Sequence, residues 1–174
     1  MKNLLITGRP GIGKTTIILQ VISGLKGIKM QGFFTREIRE EGIRQGFKII
    51  TLDGQKGLLA HIDFRSKYRV SKYGVNIKDI RRLIIPSLIP QEDSQMIVFD
   101  EVGRMELFCP EFKAILLRAL NSTKPVFGTI QLKAEPFVNA VKGRKDVKLI
   151  DVSLSNRDAL PQELLQLLHQ SLKQ

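Results

Sequence analysis

One eight-residue segment near the start of the chain constrains the fold more than any other. It reads Gly8-Arg9-Pro10-Gly11-Ile12-Gly13-Lys14-Thr15 and matches the pattern G-x-x-x-x-G-K-[ST] without a departure. The apolar segment before it predicts a strand, and the apolar residues after it recur at helical spacing. Glycines let a backbone bend around a phosphate, so that successive N–H groups and the helix start face its oxygens. A turn without a ligand would explain one glycine but not three followed by Lys and Thr, and we therefore predict a phosphate-binding loop.

The loop gives its side chains roles toward a bound nucleotide. Lys14 is predicted to bridge the β- and γ-phosphates, and the Thr15 hydroxyl is predicted to ligate Mg²⁺. Thr16 is placed to donate to the α-phosphate. The nucleotide-binding residues predicted from this segment are Gly8, Arg9, Pro10, Gly11, Ile12, Gly13, Lys14, Thr15 and Thr16.

Two adjacent acids follow an apolar segment in the middle of the chain. Residues 96–99 predict a short buried strand, and Asp100 and Glu101 come directly after it. In proteins with such a loop, an acid at the end of a neighbouring strand holds Mg²⁺, which is the role predicted for Asp100. A second carboxylate beside the γ-phosphate can orient and polarise a water molecule, and we predict this role for Glu101. The alternative for Glu101 is an exposed acid at a strand end.

The first half of the chain predicts a strand, a helix and then hairpins. Residues 2–7 predict the strand and residues 14–26 the helix. Residues 30–64 alternate β-prone residues with turn signals at Glu41-Gly42 and Asp53-Gly54, which predicts two or three strands joined by hairpins. Residues 65–82 predict a loop and a short helix near 77–84. Pro86 and Pro90 are expected to break the segment that follows.

The second half alternates strictly between helix and strand. After the strand at 96–99, the pattern predicts a helix at 109–123, a strand at 124–132, a helix at 135–143, a strand at 147–154 and an amphipathic helix at 159–173. Such alternation at both ends predicts a mostly parallel sheet with helices on both faces and hairpin additions in the middle. We expect residues 1–174 to form a single domain.

Composition and charge limit the kinds of function and the cellular location that the sequence allows. The net charge is +11, and seven basic residues lie between Arg65 and Arg82, which would suit nucleic-acid phosphates, a solvated face or nucleotide affinity alone. No nucleic-acid-reading module is recognisable, so a nucleic-acid partner is not favoured. No run approaches the roughly 18 apolar residues of a membrane span, and the one cysteine, Cys109, fits a reducing compartment. The default expectations are a cytoplasmic location and a monomer.

Five segments resemble one family when they are taken together. "GRPGIGKTT", "GFFTREIREEGIRQGF", "DEVGRMELF", "VFGTIQL" and "SNRDAL" occur in this order in the small P-loop nucleoside-triphosphatases typified by cancer-related nucleoside-triphosphatase and its thermophile homologues. The similarity runs from about residue 3 to 160. The first segment is shared by very many proteins, whereas the others are far more specific as a set.

The resemblance implies a RecA-like P-loop NTPase fold, a three-layer α/β/α arrangement with an added strand between the loop strand and the Asp-Glu strand. It also implies slow, Mg²⁺-dependent hydrolysis of ATP, GTP, CTP and UTP with weak base selectivity. Carried over onto this chain, it makes Arg36, Arg39 and Arg104 candidates to stabilise transition-state charge, or else surface ion-pair partners. Arg104 replaces a lysine that is common at that place.

The resemblance also points to two further groups of residues. Thr129 is a candidate to help position water, or else forms a hydrogen bond at a strand end. Asn156, Arg157 and Asp158 precede the last helix, where base contact is expected, although Asn156 or Asp158 could instead cap that helix. Two other functions stay open: a phosphotransferase for a nucleotide or other small acceptor, and a nucleic-acid-stimulated ATPase.

Overall fold

The computed structural model describes residues 2–173, whose strands join into one mixed sheet. The strands are β1 (Asn3–Thr7), β2 (Met30–Glu40), β3 (Ile43–Thr51), β4 (Lys56–His61), β5 (Arg69–Val70), β6 (Tyr73–Val75), β7 (Met96–Val102), β8 (Val126–Ile130) and β9 (Val147–Asp151). Their order across the sheet is β5-β6-β4-β3-β2-β7-β8-β1-β9. The helices are α1 (Lys14–Gly24), α2 (Ile77–Asp79), α3 (Ile85–Ser87), α4 (Pro110–Asn121), α5 (Pro136–Lys142) and α6 (Leu160–Leu172).

Five neighbouring strands, from β2 to β9, are parallel. β1 lies between β8 and β9, and β8 separates β1 from β7. The predicted RecA-like insertion of a strand between the loop strand and the Asp-Glu strand is therefore confirmed. Because carboxyl ends of parallel strands meet at one edge, this order brings the ends of β1, β7 and β8 together.

The remaining strands extend the sheet as antiparallel hairpins from β2. The turns between β2, β3 and β4 fall at Glu41-Gly42 and Asp53-Gly54, as the sequence predicted, and Glu41 and Gly42 both have positive φ angles (48° and 78°). The loop predicted in the first part of residues 65–82 is confirmed only for residues 65–68, because β5 and β6 form a small ribbon after it. Strands of two and three residues are too short to show a period in the sequence. The short helix predicted near 77–84 is confirmed.

Helices cover both faces of the sheet and define two apolar cores. On one face α1 and α6 pack against the sheet through residues that include Ile18, Val21 and Leu164, and all three are fully buried. On the other face α4, α5 and the helical segment after β6 pack through residues that include Phe112 and Val141. Each fully buried side chain of this size stabilises the fold by about 1.5–3 kcal/mol relative to its exposed state. The predicted three-layer arrangement is confirmed.

Pro86 does not break the segment that contains it, contrary to the prediction. The chain runs from α2 through a π-helical turn, Ile80–Ile84, into α3, where Pro86 lies in the first turn. Proline lacks the N–H that would continue an α-helical ladder, but the first turn of a helix leaves that donor unused. The N–H of Ile85 donates to the Ile80 carbonyl instead, so the segment stays helical to Ser87.

Two details of β7 matter for the site. The strand does not end at Phe99 but continues through Asp100 and Glu101 to Val102, and the peptide bond between the two acids is cis. β2 approaches β7 closely at Gly32, whose φ is 126° and where a Cβ would lie 1.7 Å from the Val98 carbonyl oxygen. Only glycine fits this contact.

None of the helices in residues 2–173 has the length and hydropathy that crossing a bilayer requires. Cys109 is a free, buried thiol.

Candidate active site

The phosphate-binding loop lies at the carboxyl edge of the sheet, between the end of β1 and the start of α1. Gly13 is the residue before the helix and has a φ of 111°, a conformation that residues with a side chain rarely adopt. Gly8 approaches the chain after β9, where a Cβ would lie 2.8 Å from the Val152 carbonyl oxygen. The glycines of the loop are thus required by its shape, which turns the amino-terminal end of α1 toward the space above the sheet.

Lys14 lies back across the loop. Its Nζ donates to the carbonyl oxygens of Gly8 at 3.0 Å and Arg9 at 3.4 Å, and it lies 3.9 Å from a carboxylate oxygen of Glu101. The loop and the acid pair of β7 therefore meet at this ammonium group. A phosphate held by the loop would find its counter-charge here.

Asp100 is almost completely buried and is held by two hydroxyl groups. Thr15 donates to its Oδ2 and Thr129 to its Oδ1, each at 2.6 Å. Burial raises the pKa of Asp100 above its usual range, and these two hydrogen bonds oppose the rise. The family resemblance made Thr129 a candidate either to position water or to form a hydrogen bond at a strand end, and in the structure its buried hydroxyl donates to Asp100.

Glu101 is the more accessible acid of the pair, with 37% of its side chain exposed. Partial burial raises the pKa of Glu101, Lys14 lowers it, and the neighbouring Asp100 raises it again. A carboxylate with a raised pKa is a better proton acceptor, and this one faces the space beside the phosphate loop.

Glu106 is a third acid that the sequence prediction missed. It begins the 3₁₀ turn Glu106–Phe108 after β7 and is only 3% exposed. Burial, with smaller contributions from Glu101 and Asp100, raises the pKa of Glu106 to about 8. The sequence offers no signal for this burial, because a glutamate after a strand is ordinarily exposed.

The three candidate arginines differ in their surroundings. Arg39 is engaged at the tip of the β2–β3 hairpin, where it donates to Glu37 and to the Gly42 carbonyl oxygen. Arg36 is exposed and lies 5.6 Å from the centre of the Phe34 ring. Arg104 is exposed in the turn after β7, and within residues 2–173 neither it nor Arg36 has a carboxylate partner.

A cleft of about 410 Å³ opens beside the amino-terminal half of α1. The residues that line it are Ile12, Gly13, Thr16, Ile17, Gln20, Arg157 and Asp158. Asn156 is engaged within its own loop, where its side chain accepts from the Ser153 N–H and donates to the Asp151 carbonyl oxygen. A larger open depression of about 620 Å³ lies along α4 near Leu117 and Arg118, but no phosphate loop or acid pair borders it.

The donor set at Thr15 and Asp100 suits Mg²⁺ that arrives with a nucleotide. A hydroxyl and a carboxylate are oxygen donors, which Mg²⁺ prefers, and the two groups are in direct contact. Within the described part of the chain, no group of three or more His, Cys, Asp or Glu side chains could hold a metal. The other ligands of such an ion would therefore be phosphate oxygens and water, as is usual for Mg²⁺ at nucleotide sites.

The glycine loop between a buried strand and a helix, faced by acids at the end of a neighbouring strand, defines a P-loop nucleotide-binding protein. The sequence model of the family described as "NTPase" matches residues 3–165. Nucleoside-triphosphatase THEP1 of Thermotoga sp. (strain RQ2) is 43% identical over 166 residues, which are 95% of this chain and 94% of that protein. The cancer-related nucleoside-triphosphatase homolog of Mus musculus is 33% identical over 186 residues, with 98% of each chain covered.

A solved structure agrees with this similarity. The crystal structure of THEP1 from the hyperthermophile Aquifex aeolicus superimposes with a TM-score of 0.85 at 32% identity and covers 95% of this chain and 98% of that one. The chain belongs to the NTPase family, and the resemblance found in the sequence is confirmed.

Proposed function

We propose that the protein is a nucleoside-triphosphatase that hydrolyses the β–γ phosphoanhydride of ATP, GTP, CTP and UTP in the presence of Mg²⁺. The observation that carries this proposal is the position of Glu101, a partly exposed carboxylate 3.9 Å from the loop lysine. The relatives named nucleoside-triphosphatase support the same reaction class.

The loop would bind the triphosphate, with backbone N–H groups around the β-phosphate and Lys14 between the β- and γ-phosphates. Asp100 and Thr15 would hold Mg²⁺, which supplies positive charge to the phosphate oxygens when it is bound. Thr129 supports this pair, since its hydroxyl donates to the Asp100 carboxylate and fixes its orientation.

Glu101 would act on the attacking water. Its carboxylate accepts a proton from the water as the water oxygen forms a bond to the γ-phosphorus. The bond from that phosphorus to the β–γ bridging oxygen breaks, and the electron pair leaves with the nucleoside diphosphate. Arg36 and Arg104 are the candidates to stabilise the negative charge that spreads over the γ-phosphate oxygens, because neither has a carboxylate partner within residues 2–173.

The lining of the cleft beside α1, where we propose that the base binds, supports weak base selectivity. The apolar side chains of Ile12 and Ile17 line part of the cleft. The polar side chains that line the rest, those of Gln20, Arg157 and Asp158, are exposed. A base held chiefly by apolar contact is poorly discriminated. Slow turnover is part of the proposal through the family resemblance. So are a cytoplasmic location and a single-domain monomer that needs no nucleic acid.

Phosphate release under single-turnover conditions tests the proposal. ATP, GTP, CTP and UTP are each incubated with the protein, with Mg²⁺ or with chelator, and without any acceptor. We expect inorganic phosphate and nucleoside diphosphate from all four, with rates that differ by less than about tenfold between bases and vanish in chelator.

Glu101→Gln is the decisive variant, with Glu163→Gln on the exposed side of α6 as the matched control. The amide keeps the size of Glu101 but cannot accept the proton, so turnover should fall by roughly 10² or more while nucleotide affinity stays within about threefold. Parental turnover in Glu101→Gln would refute the role of the acid. Nucleotide consumption that appears only with an added acceptor would favour the phosphotransferase, and stimulation by short RNA that collapses with salt would favour the nucleic-acid-stimulated ATPase.

A further inference from the structure

Glu106 is the buried charged group that the proposed reaction does not use. It is 3% exposed, and within residues 2–173 no lysine, arginine or histidine forms an ion pair with it. Burying an ionised carboxylate without a counter-charge is costly, and such a group usually keeps its proton. Replacing buried charged groups by uncharged ones is often neutral or stabilising, so stability alone does not account for Glu106.

Glu106 and Glu101 both have a carboxyl oxygen next to Gly103. A Cβ on Gly103 would lie 3.0 Å from Oε1 of Glu101 and 3.1 Å from Oε2 of Glu106. The two carboxyl groups thus border the same small space, which the absence of a side chain at position 103 leaves open. The turn between them is fixed, since the Leu107 N–H donates to the Gly103 carbonyl oxygen at 3.0 Å.

The charged groups around Glu106 come mainly from β7. The negative charges of Glu101 and, to a smaller extent, Asp100 act on it and raise its pKa. Lys14 of α1 lies beyond Glu101, 3.9 Å from the far oxygen of that carboxylate. From α4, whose first turn packs on this turn, Glu111 is already paired with Arg81. Burial and the carboxylates of Glu101 and Asp100 together outweigh the backbone hydrogen bonds that favour the ionised form, and they raise the pKa of Glu106 to about 8.

We propose that Glu106 is a positioning residue for Glu101: its uncharged carboxyl group supports Glu101 at the phosphate loop, and loss of its proton switches the site off. A protonated carboxyl group is a hydrogen-bond donor that an adjacent carboxylate tolerates. Two ionised carboxylates that border the same space at Gly103 repel each other, and Glu101, the more exposed of the two, would be pushed away from the loop. This inference rests on the proposed role of Glu101 in hydrolysis.

The pH profile of ATP turnover tests the inference. In the parent, kcat should fall about tenfold between pH 7 and pH 9, because one unit above the pKa leaves about a tenth of Glu106 protonated. Glu106→Gln is permanently uncharged and similar in size, so its kcat should match the parent within about threefold at pH 7 and stay level to pH 9. KM should change little in either protein, since nucleotide binding does not use this acid. Glu163→Gln, the control, should keep the parental profile.

A second measurement needs no hydrolysis and no Glu106 variant. In protein labelled with ¹³C at the glutamate carboxyl carbons, one resonance should titrate near pH 8, and its midpoint should fall when Glu101→Gln removes the neighbouring charge. A profile in Glu106→Gln that still falls above pH 8, or no resonance titrating above pH 6.5, would overturn the inference. The proposed function would be refuted instead if the protein hydrolysed no ATP at any pH while the glutamate resonance still titrated near pH 8 and its midpoint still fell in Glu101→Gln.

Discussion

Replacing Asp100 by Asn should stabilise the protein while removing its ability to use Mg²⁺. In the nucleotide-free protein Asp100 accepts two hydrogen bonds, from Thr15 and Thr129, and is only 2% exposed. The amide of Asn keeps both contacts, because its oxygen accepts from one hydroxyl and its NH₂ donates to the other, whose proton can rotate. The substitution therefore removes a buried charge and little else.

The sign of the effect follows from the pKa of Asp100, which burial raises in the folded state. When a carboxyl group has a higher pKa in the folded protein than in the unfolded chain, the free energy of unfolding is highest below the unfolded pKa. It falls as the pH rises from the unfolded pKa to the folded pKa, because the folded protein must then hold an unfavourable buried charge. The side chain of Asn does not ionise, so Asp100→Asn keeps its stability as the pH rises. We expect only a small difference at pH 4, which is close to the ordinary pKa of Asp, and a gain of about 1–3 kcal/mol at pH 8, which for a chain of this size raises Tm on the order of 5 °C.

Thermal unfolding of the nucleotide-free protein at both pH values measures this gain. Asp63→Asn, at a side chain that is 84% exposed, removes the same charge from the surface and should shift Tm by less than about 1 °C. Nucleotide titrations with and without Mg²⁺ complete the experiment, because the metal should improve affinity in the parent and not in Asp100→Asn. A lower Tm in Asp100→Asn at pH 8, or Mg²⁺-assisted binding that survives, would refute the reasoning.

Two other substitutions test the loop and the sheet. Lys14→Ala should abolish hydrolysis and weaken ATP binding at least tenfold, because the loop loses the ammonium group proposed to contact the γ-phosphate; near-parental turnover would contradict the assignment of the loop. Gly32→Ala should destabilise the fold by more than about 3 kcal/mol in urea unfolding, since its Cβ would lie 1.7 Å from the Val98 carbonyl oxygen, and an unchanged midpoint would show that β2 and β7 can separate at little cost.

The parts of the site that depend on local chemistry could be predicted from the sequence. The glycine loop is specified by consecutive residues, and the acids of β7 follow an apolar run that marks a buried strand. The strand order that places them together came from the family resemblance and not from the pattern. Hydrophobic periodicity predicts which face of a helix or strand is buried. It does not predict which strands are neighbours in the sheet when they are more than a hundred residues apart.

Glu106 and Pro86 show where local reasoning fails. A glutamate after a strand reads as a surface residue, and only the packing of the following turn against β7 and α4 buries it. Pro86 reads as a helix breaker, yet a π-helical turn before it realigns the hydrogen bonds so that its missing N–H is not needed. In both cases the local conformation and burial depend on contacts with residues distant in sequence, which a local pattern cannot reveal.

The strand order also sets the sequence of events during synthesis. β1 carries the phosphate loop at the start of the chain, but its two partners are β8 and β9, whose pairings involve residues 126–129 and 147–151. β2, β3 and β4 pair with their neighbours in sequence and can form as soon as they leave the ribosome. At 5–20 residues per second, β1 waits several seconds or more for its partners. A nascent chain should therefore form its hairpins early and should bind nucleotide only after β9 has emerged from the ribosome.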